Sequence, residues 1–288
     1  MASLSVAVPQ TKPKFDPGIA IQYVLLVKLA EAVPPDQTVY NPGDVINAAY
    51  GAINVNYEVV TTFYGNDLAT DANPGRALNI VSFGFVAQDR VGNVVVAIRG
   101  TSGILEWLQD ARFLAVKCPF LAGGGLTEDG FTAVYESLRI TQNAGSTRLV
   151  DALPNMPFPL PVTSLTICGH SLGGALATLM SLDAAANTRF GSDLISYTYA
   201  SPRTGDPSFA DTYAQVVPNT FRIANRLDIV PKLPIPPLYE HVLGVDDLNP
   251  MLRVKLDVLC QHHLTTYLYL LSLQTGGAVL PLDQGCPF

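Results

Sequence analysis

Charged residues are scarce in this sequence. They make up 14 % of the 288 residues, against 48 % for apolar residues, and the formal net charge is −7. A charge content this low excludes disorder by charge repulsion and predicts a thick apolar core. The sequence also has no cluster of Lys and Arg to neutralise phosphates or anionic lipid. We therefore expect no nucleic-acid partner and no polybasic membrane anchor.

Long apolar runs are also missing. A transmembrane helix takes about 18 consecutive apolar residues, whereas the run at residues 19–30 is shorter and is interrupted by Gln22 and Lys28. It predicts an amphipathic or buried helix. Asp16 and Lys28 likewise interrupt the apolar region that a signal peptide needs. The sequence thus indicates no transmembrane anchor and no clear signal peptide, and it leaves secretion and a cytoplasmic location both open.

Cysteine is rare, and its spacing argues against metal or redox chemistry. The sequence contains no Cys-x-x-Cys pair, which a zinc site or a thioredoxin-type centre would use. Cys168 lies in an apolar stretch and is interpreted as a small buried hydrophobe. Cys260 and Cys286 can close a C-terminal loop if the compartment is oxidising.

What the sequence does contain is an alternation of strand-like and helix-like periods without an internal repeat. This pattern is typical of a largely parallel sheet covered by helices, and the length fits one α/β domain over residues 1–288. Helices are predicted around residues 131–138 and over 172–186. Five strands are expected, the first two of them paired as a β-hairpin, at residues 79–86, 94–98, 164–168, 194–199 and 221–224.

A short motif carries the first chemical hypothesis. Residues 169–173 read Gly-His-Ser-Leu-Gly, a pattern that chance gives in about one chain in ten of this composition. Here it stands between a predicted strand and a predicted helix, the context in which Ser171 becomes a nucleophile on a strained turn at the edge of the sheet. The N–H of Leu172, at the start of that helix, would form half of an oxyanion hole. The alternative is a structural serine in a tight turn.

A serine nucleophile needs a base and an acid that orients this base. In hydrolases of this topology the acid and then the histidine follow the serine along the chain. The downstream histidines are His241, His262 and His263. Asp228 follows a predicted strand directly, so a rigid sheet edge would hold it. The other downstream acids, such as Asp206 and Asp257, fall in turns or on helix faces, where a surface carboxylate is the expected role.

Four separated stretches resemble the class 3 lipase family of α/β-hydrolases, and they occur in the family's order. They are Arg-Gly-Thr at 99–101 with Trp107 and Asp110 behind it, and the segments 169–174, 199–206 and 225–231. The resemblance covers roughly residues 78–270. It implies an α/β-hydrolase fold with a mostly parallel central sheet flanked by helices.

The resemblance also implies a catalytic triad. Ser171 would be the nucleophile, Asp228 the orienting acid, and a histidine just before Leu264 the base. The segment 260–268 resembles the family's His-x-x-x-x-Tyr-Leu form, which selects His262. The form found in the fungal branch would point to His263 instead, and we take His262.

Two further features follow from the same resemblance. The backbone N–H of Thr101 is implied as the second oxyanion donor beside Leu172, and removal of such a donor typically costs about 2.7–4 kcal/mol of transition-state stabilisation. One departure from the family is visible. The usual His-x-Gly-Phe after the lid appears here as Glu-Asp-Gly-Phe at residues 128–131.

Residues 102–115 form the candidate lid. Ile104, Trp107, Leu108 and Ala111 recur at helical spacing and predict a short amphipathic helix. In related lipases this region is a mobile cover whose apolar side faces the site and opens at lipid interfaces. Two interpretations stay open for this chain: a lid with a hinge near Gly103, and a fixed surface helix.

These features predict a carboxylic ester hydrolase, with a triacylglycerol lipase as the favoured class, acting through an acyl-enzyme on Ser171. Its substrate would be a small-molecule or lipid ester, and transient contact with a lipid interface fits the apolar candidate lid. The chemistry implies no metal and no organic cofactor. Alternatives within the family are a feruloyl esterase and a phospholipase or galactolipase. Outside enzymes, an inert lipid-binding module would typically lack one triad position, and all three are present here. No oligomeric state follows from the sequence.

Overall fold

The computed structural model describes residues 14–33, 40–66, 80–101, 103, 113–143, 145–250 and 253–287. Its strands are β1 (Val45–Tyr50), β2 (Ile53–Asn66), β3 (Ile80–Asp89), β4 (Asn93–Ile98), β5 (Ala115–Lys117), β6 (Leu126–Glu128), β7 (Ser164–His170), β8 (Ile195–Tyr199), β9 (Thr220–Asn225) and β10 (Val245–Leu248). Its helices are α1 (Pro17–Glu31), α2 (Asp129–Ser137), α3 (Leu149–Ala152), α4 (Leu172–Asn187), α5 (Pro207–Val216), α6 (Val258–His262) and α7 (Leu264–Ser272).

Eight strands form one central sheet in the order β1-β2-β3-β4-β7-β8-β9-β10. The neighbours from β1 to β4 pair antiparallel, whereas β4, β7, β8, β9 and β10 pair parallel. Strands β5 and β6 form a separate antiparallel pair. The mostly parallel sheet expected from the sequence is confirmed, and the carboxyl ends of its parallel strands meet at one edge. Ligand sites in α/β sheets lie along that edge.

The two faces of the sheet carry separate apolar cores, because each face must be covered by helices. One core contains Phe131, Leu176, Phe209 and the side chains around them, and belongs to α2, α4 and α5. The other contains Ile21, Leu26, Tyr267 and their neighbours from α1 and α7. Helix α4 is buried on all sides from Leu172 to Ala184, as its Ala/Leu-rich sequence predicted. The edge where the parallel strands end is therefore held between two packed apolar cores.

Acidic residues at turns cap several helices. Asp206 begins α5, accepting the N–H of Phe209 at 2.8 Å and that of Leu126 at 2.9 Å. Asp257 begins α6 and accepts from Cys260 at 3.1 Å. Side-chain acceptors at these positions satisfy N–H groups that the helix leaves free. Neither acid is fully buried, in line with the expected surface role, and each has in addition a capping role that the sequence did not indicate.

Some elements had no sequence-based prediction. Strands β1, β2 and β10 and helices α5, α6 and α7 extend the fold beyond the segments expected above. Helix α1 lies where a helix was predicted, and its buried side chains include Ala20, Val24 and Val27, so it is a buried helix. Within the described residues, no helix combines the length and the apolarity that crossing a bilayer demands.

Candidate active site

Ser171 occupies the sharp turn between β7 and α4. Its backbone has φ 58° and ψ −125°, a region that non-glycine residues rarely occupy. Such a conformation costs about 1–3 kcal/mol and persists only where the surroundings hold it. Here the N–H of Ser171 donates to the carbonyl of Tyr199 on β8 at 2.9 Å. The turn projects the serine from the carboxyl edge of the sheet, where only 1 % of the residue is exposed.

Two glycines make this turn possible. A Cβ atom at Gly169 would lie 2.1 Å from the carbonyl oxygen of Gly173, and one at Gly173 would lie 2.4 Å from the carbonyl oxygen of Arg99. Both distances are far below van der Waals contact, so any side chain would push α4 away from the sheet. The glycines of the motif thus permit the close approach of strand, helix and the loop after β4.

Ser171, His262 and Asp228 come together at this edge. The hydroxyl of Ser171 lies 2.8 Å from Nε2 of His262, and Nδ1 of His262 lies 2.8 Å from Oδ2 of Asp228. With the proton on Nδ1, His262 donates to the carboxylate and accepts from the serine. All three are buried, with 1 %, 5 % and 0 % exposure respectively. This arrangement matches the nucleophile, base and orienting acid of a serine hydrolase.

The carboxylate of Asp228 is fully hydrogen-bonded. Besides His262, its Oδ2 accepts from the hydroxyl of Tyr267 at 2.8 Å, and its Oδ1 accepts from the backbone N–H of Val230 at 2.9 Å. A buried charge is stable only when its lone pairs are satisfied in this way. The three donors fix the plane of the carboxylate and with it the ring of His262.

Burial sets the protonation state of the base. Desolvation lowers the pKa of His262, whereas Asp228, through its hydrogen bond and its charge, raises it, and the net shift is downward. The positive charge of His170 acts in the same direction as burial. A neutral imidazole at physiological pH is the form that can accept the serine proton.

His170 lies beneath the triad and makes polar contacts on both sides. Its Nδ1 is 2.8 Å from Oε1 of Glu31 on α1, and its Nε2 is 2.9 Å from the backbone carbonyl of His262. The sequence motifs assigned no catalytic role to His170 and did not select Glu31. The position of His170 within the serine motif was a signal that could have drawn attention to it. Glu31 lies 139 residues from His170, in a helix whose sequence carries no such signal.

The candidate oxyanion donors flank Ser171. Leu172 is the first residue of α4, so its N–H has no acceptor within the helix. Thr101 follows β4, whose last residue Ile98 is paired with Gly169 in β7. A Cβ atom at Gly100 would lie 3.2 Å from the Cβ of Ser171. Strand pairing therefore brings the loop containing Thr101 to the nucleophile.

The alternative base, His263, and the candidate lid residues are the remaining residues that the sequence singled out. His263 does not reach the triad: it is exposed, and its Nε2 lies 3.5 Å from Asp283. Its Nδ1 contacts the hydroxyl of Thr265 at 2.8 Å. The candidate lid residues Ile104, Trp107 and Leu108 lie outside the described residues.

In the described part of the chain, no group of three or more His, Cys, Asp or Glu side chains is placed to hold a metal ion. Two cysteines, Cys260 and Cys286, are joined in a disulfide, and Cys118 and Cys168 are free and buried.

Sequence comparisons agree with this geometry. Residues 95–237 match the family Lipase (class 3). The chain is 34 % identical over 161 residues to the secreted mono- and diacylglycerol lipase A of Penicillium cyclopium, covering 55 % of this chain and 49 % of that protein. It is 32 % identical over 213 residues to a rice (Oryza sativa subsp. japonica) phospholipase A1-II 6, covering 64 % of this chain and 52 % of that protein. The chain thus spans about half the length of these relatives.

Comparison of structures supports the same relationship. The triacylglyceride lipase of Rhizomucor miehei superimposes with a TM-score of 0.50 and 26 % identity, covering 67 % of this chain and 66 % of that one. The fold shared with this lipase is the α/β-hydrolase fold expected from the sequence. The matched segment 95–237 contains the serine turn and Asp228, which the structure joins to His262. The chain belongs to the class 3 lipase family.

Proposed function

We propose that this protein hydrolyses fatty-acyl esters of glycerol, with acylglycerols as its main substrates, through a covalent acyl-enzyme on Ser171. The observation that carries the proposal is the continuous hydrogen-bonded row from Ser171 through His262 to Asp228, with both links at 2.8 Å. We also propose that residues 1–288 act as one catalytic domain, since eight strands from both halves of the described chain share one sheet.

The geometry supports a two-step reaction. His262 Nε2 takes the proton of the Ser171 hydroxyl as Oγ bonds to the ester carbonyl carbon, and the oxyanion is stabilised by the N–H groups of Leu172 and Thr101. The intermediate collapses, and His262 returns the proton to the leaving alcohol. Water then attacks the acyl-enzyme by the same route, releasing the fatty acid and restoring Ser171.

An apolar rim supports a lipid substrate. Leu227 and Ile229 flank Asp228 and are 43 % and 45 % exposed. Further exposed aliphatic residues occupy the loop after Asp228 and the segment leading to His262, namely Ile235, Leu238, Leu256, Val258 and Leu259. All of them lie near Asp228 or His262 in sequence, and a contiguous patch of exposed apolar side chains favours contact with an apolar surface. We propose that this rim contacts the surface of lipid aggregates during ester hydrolysis.

The names of the relatives and the disulfide support action outside the cell. The Penicillium relative is named a secreted lipase. The bond between Cys260 and Cys286 is of the kind that persists in oxidising compartments and is rare in the cytosol. We therefore propose secretion for this protein.

A second candidate function is phospholipase A1 activity. It is favoured by the rice relative, which is named a phospholipase A1 and is 32 % identical over 213 residues. The same triad would attack the acyl ester of a phospholipid, so the triad itself does not separate the two substrates. The difference lies in how the head group is accommodated at the rim.

The decisive experiment compares wild type with Ser171→Ala on emulsified triacylglycerol, diacylglycerol, phosphatidylcholine and methyl ferulate. Ser208→Ala, at an exposed position on α5, is the matched control. We expect hydrolysis of the acylglycerols by wild type and control, and a loss of at least about 10³-fold in the Ser171 variant. A fluorophosphonate should label wild type at Ser171 only. Activity of the Ser171 variant within tenfold of wild type, or absence of labelling, would overturn the proposal, whereas a preference for phosphatidylcholine would establish the second function.

A further inference from the structure

The Glu31–His170 pair connects three separate parts of the fold beneath the triad. Glu31 ends α1, His170 ends β7, and the carbonyl that His170 contacts belongs to His262, the last residue of α6. The carboxylate of Glu31 also accepts the backbone N–H of Gly100 at 3.4 Å, in the loop after β4. A continuous row of polar contacts therefore connects the loop that contains Thr101 with the backbone of His262.

The contacts of His170 require a charged ring. A backbone carbonyl can only accept a hydrogen bond, and so can an ionised carboxylate. Nδ1 of His170 faces the carboxylate of Glu31 at 2.8 Å, and Nε2 faces the carbonyl of His262 at 2.9 Å. With Glu31 ionised, as its lowered pKa favours, both ring nitrogens carry protons. His170 is an imidazolium, paired with a Glu31 carboxylate whose side chain is 27 % exposed.

The surrounding groups are consistent with that charge. Burial alone would lower the pKa of His170, but Glu31, the His262 carbonyl and Asp228 together outweigh it and the net shift is upward. Besides Glu31 from α1, the groups that face His170 are Asp228 after β9, His262 from α6 and Tyr267 from α7. The pKa of Glu31 is lowered: burial would raise it, but the charge and hydrogen bond of His170, the N–H of Gly100 and the charge of His263 together prevail.

The charged ring acts on the base in two ways. It holds the His262 carbonyl at the end of a helix of only five residues, where few backbone bonds restrain the chain. Its ring also stacks on the ring of His262, with centroids 4.9 Å apart. Like charges at that distance repel, so the imidazolium opposes protonation of His262, whereas the charge of Glu31 acts in the opposite direction.

We propose that Glu31 and His170 form a charged support that positions His262 against Ser171, and that the His170 ring of this support opposes protonation of His262. The support rests on the proposed esterase function for its kinetic consequences, but its effect on the His262 ring can be measured without substrate. Neither residue touches the ester, so both are positioning residues. Removing a hydrogen bond that orients a catalytic group commonly costs about 10–100-fold in rate.

Three substitutions separate the two actions. His170→Asn places an amide near Nδ1, keeping the contact to Glu31 and losing the bond to the His262 carbonyl. His170→Gln places its amide near Nε2, keeping that bond and losing the charge. Glu31→Gln retains the shape of the side chain and removes the anion that keeps His170 protonated. Glu58→Gln is the matched control, because Glu58 is an exposed glutamate on β2 that takes no part in these contacts.

The experiment combines kinetics on a soluble p-nitrophenyl ester with NMR titration of the histidine rings, after near-UV circular dichroism has shown native packing. We expect His170→Asn to lower kcat about 10–100-fold with KM within twofold. We expect His170→Gln to keep most of kcat but to move the acid limb of kcat/KM, and the pKa of the His262 ring, upward by about half a unit. Glu31→Gln should let His170 titrate near neutral pH. The control should match wild type.

The outcomes distinguish the two proposals. If wild type hydrolyses no ester, the proposed function fails, and the titration of His262 in His170→Gln still decides the support. A kcat of His170→Asn within twofold of wild type, or a His262 pKa unchanged in His170→Gln, would overturn the support while leaving the esterase intact. Should His170→Asn fail to pack, the other two variants decide the question on the same ring titrations.

Discussion

Tyr267 and His262 share one oxygen atom of Asp228. The tyrosine hydroxyl and Nδ1 of the histidine each lie 2.8 Å from Oδ2. The same hydroxyl accepts the backbone N–H of Asn225, the last residue of β9, at 3.1 Å. Tyr267 thereby fastens the acid of the triad to the end of a buried strand and to helix α7 at once.

Replacing Tyr267 by Phe removes this connection. The buried N–H of Asn225 and one lone pair of Asp228 lose their partner, and such a loss costs about 1–3 kcal/mol. We expect the free energy of unfolding, measured in urea, to fall by that amount and kcat to fall less than when the acid itself is replaced. Tyr269→Phe on the same helix is the comparison, with an expected change within about 0.5 kcal/mol. Equal stability of the two variants would contradict the prediction.

Replacing Asp228 by Asn preserves the size of the side chain but removes its charge. The amide stabilises neither the tautomer with the proton on Nδ1 nor the imidazolium that forms during attack. In serine hydrolases such a change lowers kcat by about 10⁴-fold. We expect a drop of about 10³–10⁴-fold on a soluble ester, with slower fluorophosphonate labelling of Ser171. A loss of less than tenfold would show that Asp228 is not the orienting acid.

The disulfide between Cys260 and Cys286 ties the C-terminal segment to the helix that carries His262. It closes a loop with a sequence separation of 26 residues, for which chain entropy predicts a stabilisation of about 3 kcal/mol. We expect Cys286→Ser, or reduction of wild type, to lower Tm and to reduce kcat. Reductant should leave the Cys286→Ser variant unchanged. If it shifted Tm of wild type and variant equally, the effect would lie elsewhere.

Glu128 gives the fold a specific pH dependence. It begins α2 by accepting the N–H of Phe131 at 2.7 Å, and burial raises its pKa to about 7. A pKa raised on folding means that the folded state binds the proton more tightly. The stabilisation is complete below the ordinary pKa of a glutamic acid, about 4.3, and is lost as pH rises through 7.

Glu128→Gln keeps an acceptor for Phe131 and removes this titration. We expect wild type to lose up to about 3 kcal/mol of unfolding free energy between pH 5 and pH 8, in addition to any change shared with the variant. Urea unfolding at the two pH values measures this difference, with the exposed Glu240→Gln as control. If wild type and Glu128→Gln had the same pH dependence, the carboxyl would titrate normally.

The serine turn could be predicted because its determinants are local. Gly169, Ser171 and Gly173 fall within five residues, and the steric demand for glycine at both positions acts on neighbouring backbone. Asp228 was selected by the end of its strand. The caps at Asp206 and Asp257 were missed because a turn acid in the sequence does not show which helix N–H it meets.

The residues alone did not decide whether His262 or His263 is the base. His262 and His263 are adjacent in sequence, and the resemblance to the family selected between them. In the fold one is buried against Ser171, while the other points toward Asp283. The candidate lid, including Trp107, lies outside the described residues, so its two interpretations remain predictions.

The sequence by itself determined the serine turn, the helix behind it and the mostly parallel sheet, because strand and helix periods and glycine sterics operate over a few residues. Only the tertiary structure decided which charged groups share the interior. Glu31 and His170 are 139 positions apart, and Tyr267 and Asp228 are 39 apart. Buried charged groups pair when the fold brings them within hydrogen-bond distance, and the hydrophobic periodicity of the sequence does not indicate which groups those are.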